Sequence, residues 1–330
     1  GALRYSYHSC RNRHCPQCQT RAKEQWLAAR QRELLNVPYF HLVFTLPHAL
    51  NPLANSHRRC LYQLLFESVA AALHDFAANP KWLGGTPSFS LVLHTWQQDL
   101  GQHLHLHALV AGGALLSDGR WQAAKRQFLF PVQALSSVFR GKFMAALQQQ
   151  QNRFPHTIAQ QPKQWKALQQ QLYQHPWVVY AKQPLGGPAQ VLDYLSRYTH
   201  RVAISNERIL SVTPDTVRFR VRDNHGHGKK VKQLPATEFI RRFMQHILPP
   251  NFKRIRHYGL LGNAHKAINL AQARQALDMP QPDPVVIETI ADFMQRIHRA
   301  DWLTCPHCHI GQFVLLEVLA PIPRAPPEAR

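Results

Sequence analysis

The stretch Gln102–Val110 reads Gln-His-Leu-His-Leu-His-Ala-Leu-Val, so His103, His105 and His107 alternate with Leu104, Leu106 and Ala108. Period-two alternation is the pattern of a β-strand, whose successive side chains point to opposite faces. One face of this strand would carry imidazoles and the other small apolar groups. Neighbouring imidazoles on one face can converge on a divalent cation if a third ligand comes from elsewhere. The plainer alternative is a histidine-rich edge strand facing solvent.

A second constellation is Asp193-Tyr-Leu-Ser-Arg-Tyr-Thr-His-Arg201, with Tyr194 and Tyr198 four residues apart. On a helix these two phenols share a face, flanked by Arg197, His200 and Arg201. A phenol is a weak nucleophile near neutrality because its pKa is about 10. Nearby cations and a metal-polarised phosphate make its attack on a phosphodiester feasible. The competing reading packs Tyr194 in the core and leaves Tyr198 hydrogen-bonded at the surface.

The cysteines suggest a third chemistry. Cys10, Cys15 and Cys18 cluster at one end, Cys305 and Cys308 at the other, and Cys60 stands within an apolar helical pattern. Spacings of this kind in a cytosolic protein predict zinc knuckles and not disulfides. Three cysteines leave one ligand to find. The chain starts at Gly1 without an initiator Met, and the expectation is a zinc module that is incomplete here.

The elements that would position these groups follow from periodicity. Phe40–Leu46 and Ser88–His94 read as strands, and the histidine strand spans His103–Ala111. If the last two pair as an antiparallel hairpin, His94 lies across the ladder from His105 and supplies a third imidazole. Ser56–Ala78, Val132–Gln150, Pro162–Tyr173, Gln190–Thr199 and Asn263–Leu277 read as helices. Trp121–Pro131 reads as a short strand pair and Lys253–His257 as a basic segment. Arg208–Val212 and Val217–Arg222 form a hairpin with Arg218, Arg220 and Arg222 on one face. A helix over Glu238–Ile247 takes Thr237 as its N-cap. The expected organisation is a zinc module over 1–24, a catalytic domain over 25–278, and a linker, helix, knuckle and tail over 279–330.

The chain has 330 residues and 39 Lys+Arg against 18 Asp+Glu, a net charge of +21. That excess predicts a polyanionic partner, nucleic acid ahead of an anionic membrane. No apolar run is long enough to span a bilayer, so a cytoplasmic, nucleoid-associated protein is expected. Trp96, Trp121 and Tyr258 are candidate stacking platforms for unpaired bases.

In this order and spacing, Phe-His-Leu-Val-Phe-Thr-Leu-Pro, Leu-His-Thr-Trp, His-Leu-His-Leu-His and Tyr-Leu-Ser-Arg-Tyr-Thr-His-Arg-Val-Ala-Ile-Ser are similar to segments of the insertion-sequence-91 family of rolling-circle transposases. Those transposases belong to the HUH single-strand nuclease superfamily, and Tyr258-Gly-Leu-Leu-Gly-Asn also resembles the family. The resemblance implies an α+β fold, an antiparallel sheet flanked by helices. It implies that His105 and His107 bind Mg²⁺ or Mn²⁺, with His94 as third ligand and Asp99 and Gln102 as the remaining options. It further implies that Tyr194 or Tyr198 attacks single-stranded DNA to form a 5′-phosphotyrosine and free a 3′-OH. The expected activity is therefore that of a bacterial transposase. The alternatives are a replication-initiator or relaxase-like nickase with the same chemistry, and a zinc-stabilised DNA-binding protein without catalysis.

Overall fold

The computed structural model describes residues 25–125, 129–181, 190–191, 203–222, 228–282, 304–305, 307–314 and 316–317. These fall into two compact units, one within residues 11–282 and one within 283–330.

The larger unit is built on an antiparallel sheet. Its strands are β1 (Tyr39–Thr45), β2 (Thr86–Trp96), β3 (Gln102–Leu115), β4 (Trp121–Ala123), β5 (Val179–Ala181) and β9 (Ile255–Gly259). They lie in the order β5-β1-β3-β2-β9, with β4 added to the end of β3. β1, β2 and β3 are buried almost throughout, so even polar residues such as Ser88, Ser90, His41 and His107 lie inside the packed sheet. The alternation still sorts their two faces. Phe40, Leu42, Phe44, Phe89, Leu91, Leu93, Leu104, Leu106 and Ala108 join the main core. Helices α1 (Asn51–Ser56), α2 (Arg58–Ala78), α3 (Val132–Gln149) and α4 (Pro162–Gln174) supply its other side, through residues such as Phe66, Leu73, Phe139 and Trp165.

The opposite face has a smaller core. Tyr39, Leu109 and Ala111 pack there with Leu35, Leu260 and Leu270, the last on α6 (Lys266–Ala276). This core covers the far end of β3. The near end of the same face carries the histidines.

A second sheet, β6 (Ile209–Val212), β7 (Thr216–Arg222) and β8 (Lys229–Pro235), lies beside the β2–β3 turn. Leu100 from that turn packs with Val217, Phe219 and Leu234, and Phe239 and Phe243 of α5 (Ala236–Gln245) close this core. The α+β class and the antiparallel sheet flanked by helices are as expected. Several local expectations need correction. Thr237 does not cap α5: Pro235 occupies the N-cap position, and the Ala236 N–H donates to the Asp215 carbonyl at 2.8 Å. Of the strand pair expected over Trp121–Pro131, the described residues form one strand, β4, which pairs with β3, Trp121 opposite Leu115. The segment read only as basic, Lys253–His257, leads into edge strand β9. The helix expected over Gln190–Thr199 is described only at Gln190 and Val191, both helical.

Candidate metal centre and nucleic-acid surface

β2 and β3 pair in the register that the sequence suggested, with His94 opposite His105 and Val92 opposite His107. Partners across an antiparallel ladder share a face, and residues two apart along one strand do as well. His94, His105 and His107 therefore meet, with one ring nitrogen of each within 4.8 Å of the others. Among the described residues this is the one group of three or more such ligand side chains.

Each ring is held by its surroundings. His94 stacks on Trp96 at 4.5 Å between centroids and 19° between planes. The His105 Nδ1–H donates to the His103 carbonyl at 2.9 Å, which leaves the Nε2 lone pair for a ligand role. Burial pushes the His105 pKa from 6.5 down to about 4; the bond to His103 works against this and the His103 charge reinforces it. The ring is thus neutral at ordinary pH, as coordination requires. His107 Nδ1 lies 2.9 Å from His41 Nε2, the two rings stacked within 14° of parallel. Both are buried.

Three converging imidazoles fit a divalent cation. By donor chemistry three imidazoles suit borderline first-row ions such as Fe²⁺, Ni²⁺ or Zn²⁺ more readily than the hard ions Mg²⁺ and Mn²⁺. Asp99 is committed elsewhere. Its carboxylate accepts from Lys232 Nζ at 2.6 Å and from the Gly101 N–H at 2.9 Å, and lies 3.7 Å from Arg242. Despite partial burial, these hydrogen bonds and cations hold the carboxyl below its usual range. Gln102 pairs with Trp96 beyond a register shift that separates it from the His94–His105 pair. His103 turns from the triad to His48, with Nδ1 and Nε2 2.9 Å apart.

The β2–β3 turn that sets this geometry is braced from behind. His246 donates from Nε2 to the Leu100 carbonyl at 3.0 Å, and its Nδ1 lies 3.1 Å from Thr95 Oγ1. Leu100 itself is in the left-handed region, φ 66°.

Arg218, Arg220 and Arg222 project from one face of β7 and are exposed, while Val217 and Phe219 on its other face are buried. At the far end of the chain, Cys305 and Cys308 form a tight turn. The Cys305 N–H donates to Gly311 O at 2.7 Å, and the Gly311 N–H donates to Cys308 Sγ at 3.3 Å. Backbone N–H groups of Ile310 and Gly311 pull the Cys308 thiol below its ordinary pKa, towards the thiolate that a metal takes. Tyr194, Tyr198, Arg197, His200, Arg201, Cys10, Cys15 and Cys18 lie outside the described residues.

His41 and His48 escaped the sequence reading. His41 sits in an apolar strand, and nothing local reveals that β1 aligns its ring with His107 two strand positions away.

Comparison with known proteins gives the site a family. A family model described as "Putative transposase" matches residues 89–268, which take in most of β2 and all of β3 and β9. A second, "Transposase zinc-binding domain", matches residues 1–46. The "Putative transposase y4qJ" of Sinorhizobium fredii (strain NBRC 101917 / NGR234) is 42% identical over 332 residues, covering 96% of this chain and 83% of that protein. The transposase for insertion sequence element IS801 of Pseudomonas savastanoi pv. phaseolicola is 27% identical over 320 residues, covering 93% and 74%. Among solved structures, metal-bound conjugative relaxase TrwC with OriT DNA aligns over 34% of this chain and 43% of that one, at 19% identity and TM-score 0.27. The metal-free TrwC complex aligns over 73% and 72%, at 13% identity and TM-score 0.27. The sequence relatives alone carry the assignment: the chain belongs to the family of insertion-sequence-91-type transposases.

Proposed function

We propose that the protein cleaves and rejoins single-stranded DNA by tyrosine transesterification, as a rolling-circle transposase. The observation that carries this reading is the convergence of His94, His105 and His107 within 4.8 Å in a transposase-family chain of net charge +21. A divalent cation held there would polarise the scissile phosphate. The chain's own residues do the rest. Tyr194 or Tyr198 Oη attacks phosphorus, the P–O3′ bond breaks, and the departing 3′ oxygen takes up the proton that the phenol gives up. The phosphotyrosine bond conserves the energy of the broken phosphodiester, so a free 3′-OH can attack it and reseal a strand without external energy. The second tyrosine provides for a second such exchange.

Arg197, His200, Arg201, Arg218, Arg220 and Arg222 are assigned to the DNA backbone. Alternate residues on one strand face lie about 7 Å apart, so the three β7 arginines form a linear ladder suited to successive phosphates. Cys10, Cys15 and Cys18 are assigned to structural zinc, with Cys305 and Cys308 as a separate two-thiolate contribution. Residues 1–24 act as the zinc module and 25–278 as the catalytic unit. No helix among the described residues is long and apolar enough to cross a membrane, and we place the activity in the bacterial cytoplasm at the nucleoid.

The test is a labelled single-stranded oligonucleotide carrying a transposon end, incubated with Mn²⁺. The expected product is a protein–DNA adduct that survives denaturation and disappears when Tyr194→Phe and Tyr198→Phe are combined. A double variant that retains the adduct would refute the tyrosine assignment, and no adduct from the wild-type chain would refute cleavage itself.

A further inference from the structure

β9 brings a second set of cations to the other side of the sheet. Within it, His257 pairs with Ser90 and shares the histidine face, its Nδ1 2.7 Å from Ser90 Oγ. Arg256 and Tyr258 pair with Leu91 and Phe89, whose side chains belong to the main core on the opposite face. Tyr258 stacks on Phe89 at 5.2 Å and 13°. On that face an open groove of about 710 Å³ runs between β9, the start of α2 and the segment after α3. Arg59, Arg153, Lys253 and Arg256 line it, with no carboxylate among the lining residues.

Among the described residues these cations have no acidic ion-pair partner, which favours an external anion. Arg59 donates to the Pro250 carbonyl and Arg153 to the Gln150 amide oxygen at 2.8 Å, so neither is neutralised. Glu67 flanks the groove one turn along α2 and is engaged by the Gln63 amide at 2.5 Å. Arg256 lies over the Phe66 ring at 4.1 Å and the Phe252 ring at 5.0 Å. A guanidinium already held by two rings and by the Tyr258 hydroxyl loses little entropy on gripping a phosphate. Four positive side chains, from α2, the segment after α3, the segment before β9 and β9 itself, match a linear polyanion better than a single small anion.

We propose that this groove is a second phosphodiester-binding site, holding a DNA segment other than the one presented to His94, His105 and His107. The inference rests on the reading of the chain as a DNA strand-transfer enzyme and adds to it. Arg256 and Tyr258 of the groove share the sheet face opposite the histidines, so the segment lying there is a different one from the segment presented to His94, His105 and His107. The groove serves a flanking or partner segment, and its cations set affinity while the histidine face sets chemistry.

The experiment uses the full chain with Arg59→Gln, Arg153→Gln and Lys253→Gln combined, all three exposed in the parent. Binding of a labelled DNA oligonucleotide is measured across salt concentrations. Each phosphate that the protein no longer neutralises lowers the slope of log K against log salt by about 0.7–0.9, so a fall of about 2–3 is expected. Mn²⁺ affinity at the histidines stays unchanged and shows that the variant is folded. A slope equal to the parent's overturns the proposal. So does an equal loss of affinity for polyglutamate, which would make the groove a site for acidic protein. The adduct assay at Tyr194 and Tyr198 reads the cleavage chemistry separately, so failure of that reading leaves a distinct signature.

Discussion

His41 shows how much of a reactive centre can rest on one unadvertised side chain. A ligating histidine usually shares its other ring nitrogen with a partner that fixes tautomer and orientation, and loss of that partner typically costs 10–100-fold in metal affinity. The buried His41–His107 bond at 2.9 Å occupies that position. When His107 donates through Nδ1, its Nε2 lone pair points into the triad. His41→Phe keeps the ring volume and removes the bond. We expect it to lower Mn²⁺ affinity by about 10–100-fold and, because the buried His107 Nδ1 loses this partner, to cost about 1–3 kcal/mol of metal-free stability. Titration calorimetry with Mn²⁺ reads the first and urea unfolding the second. Unchanged affinity in a folded variant would show that His107 orients itself. The sequence exposed His94, His105 and His107 because strand alternation and a short turn are local signals. It hid His41, whose role depends on the β1–β3 register.

At the level of elements, β9 decides the width of the sheet. Its sequence, Ile-Arg-His-Tyr-Gly, is basic and polar, because an edge strand needs less apolar surface than β1 or β3. That is why the segment reads as charged loop until Ser90 and Phe89 are seen beside it. Gly259 ends the strand in the left-handed region, φ 62°, where a Cβ would come 1.8 Å from the Pro87 carbonyl oxygen. The glycine in Tyr258-Gly-Leu-Leu-Gly-Asn is therefore required by close backbone approach. Gly259→Ala should destabilise the protein by about 1–3 kcal/mol or more from backbone strain alone, read as a lower urea midpoint. A midpoint unchanged from the parent would mean that β9 can shift without cost. The α5 N-terminus teaches a related lesson: Thr237 has the right side chain for a cap, yet Pro235 with φ −52° starts the helix earlier.

Across the whole molecule, burial of neutral histidines links stability to pH. His105 is pushed down to about 4 by burial, and His257 to about 3 by burial with Arg30 and Lys266 nearby. His74, His103 and His246 shift the same way, burial being the main cause in each. In the unfolded chain these rings take up protons near pH 6.5; in the folded chain they do so only at lower pH. Between those limits the unfolded state binds more protons, so the stabilisation is fully present above about 6.5 and lost as pH falls towards 4. Glu238, held down to about 2 chiefly by hydrogen bonds from Arg241 and then Arg242, extends the loss to lower pH. The urea midpoint should therefore fall steadily from pH 7 to pH 4, and His257→Gln should flatten that slope. A midpoint independent of pH over this range would contradict the buried, neutral assignment.

The hairpin that carries His94 and His105 also has a temporal consequence. Its two ligands are joined by one short turn, so closing the loop between them costs little chain entropy compared with bringing β9 to β2. Contacts that are near in sequence tend to form early. During synthesis the residues through Leu115 leave the ribosome well before Tyr194 does. On the reading proposed above, a nascent chain already carries the elements of its candidate cation site while Tyr194 has yet to be made, so an ion could load before any strand is cut.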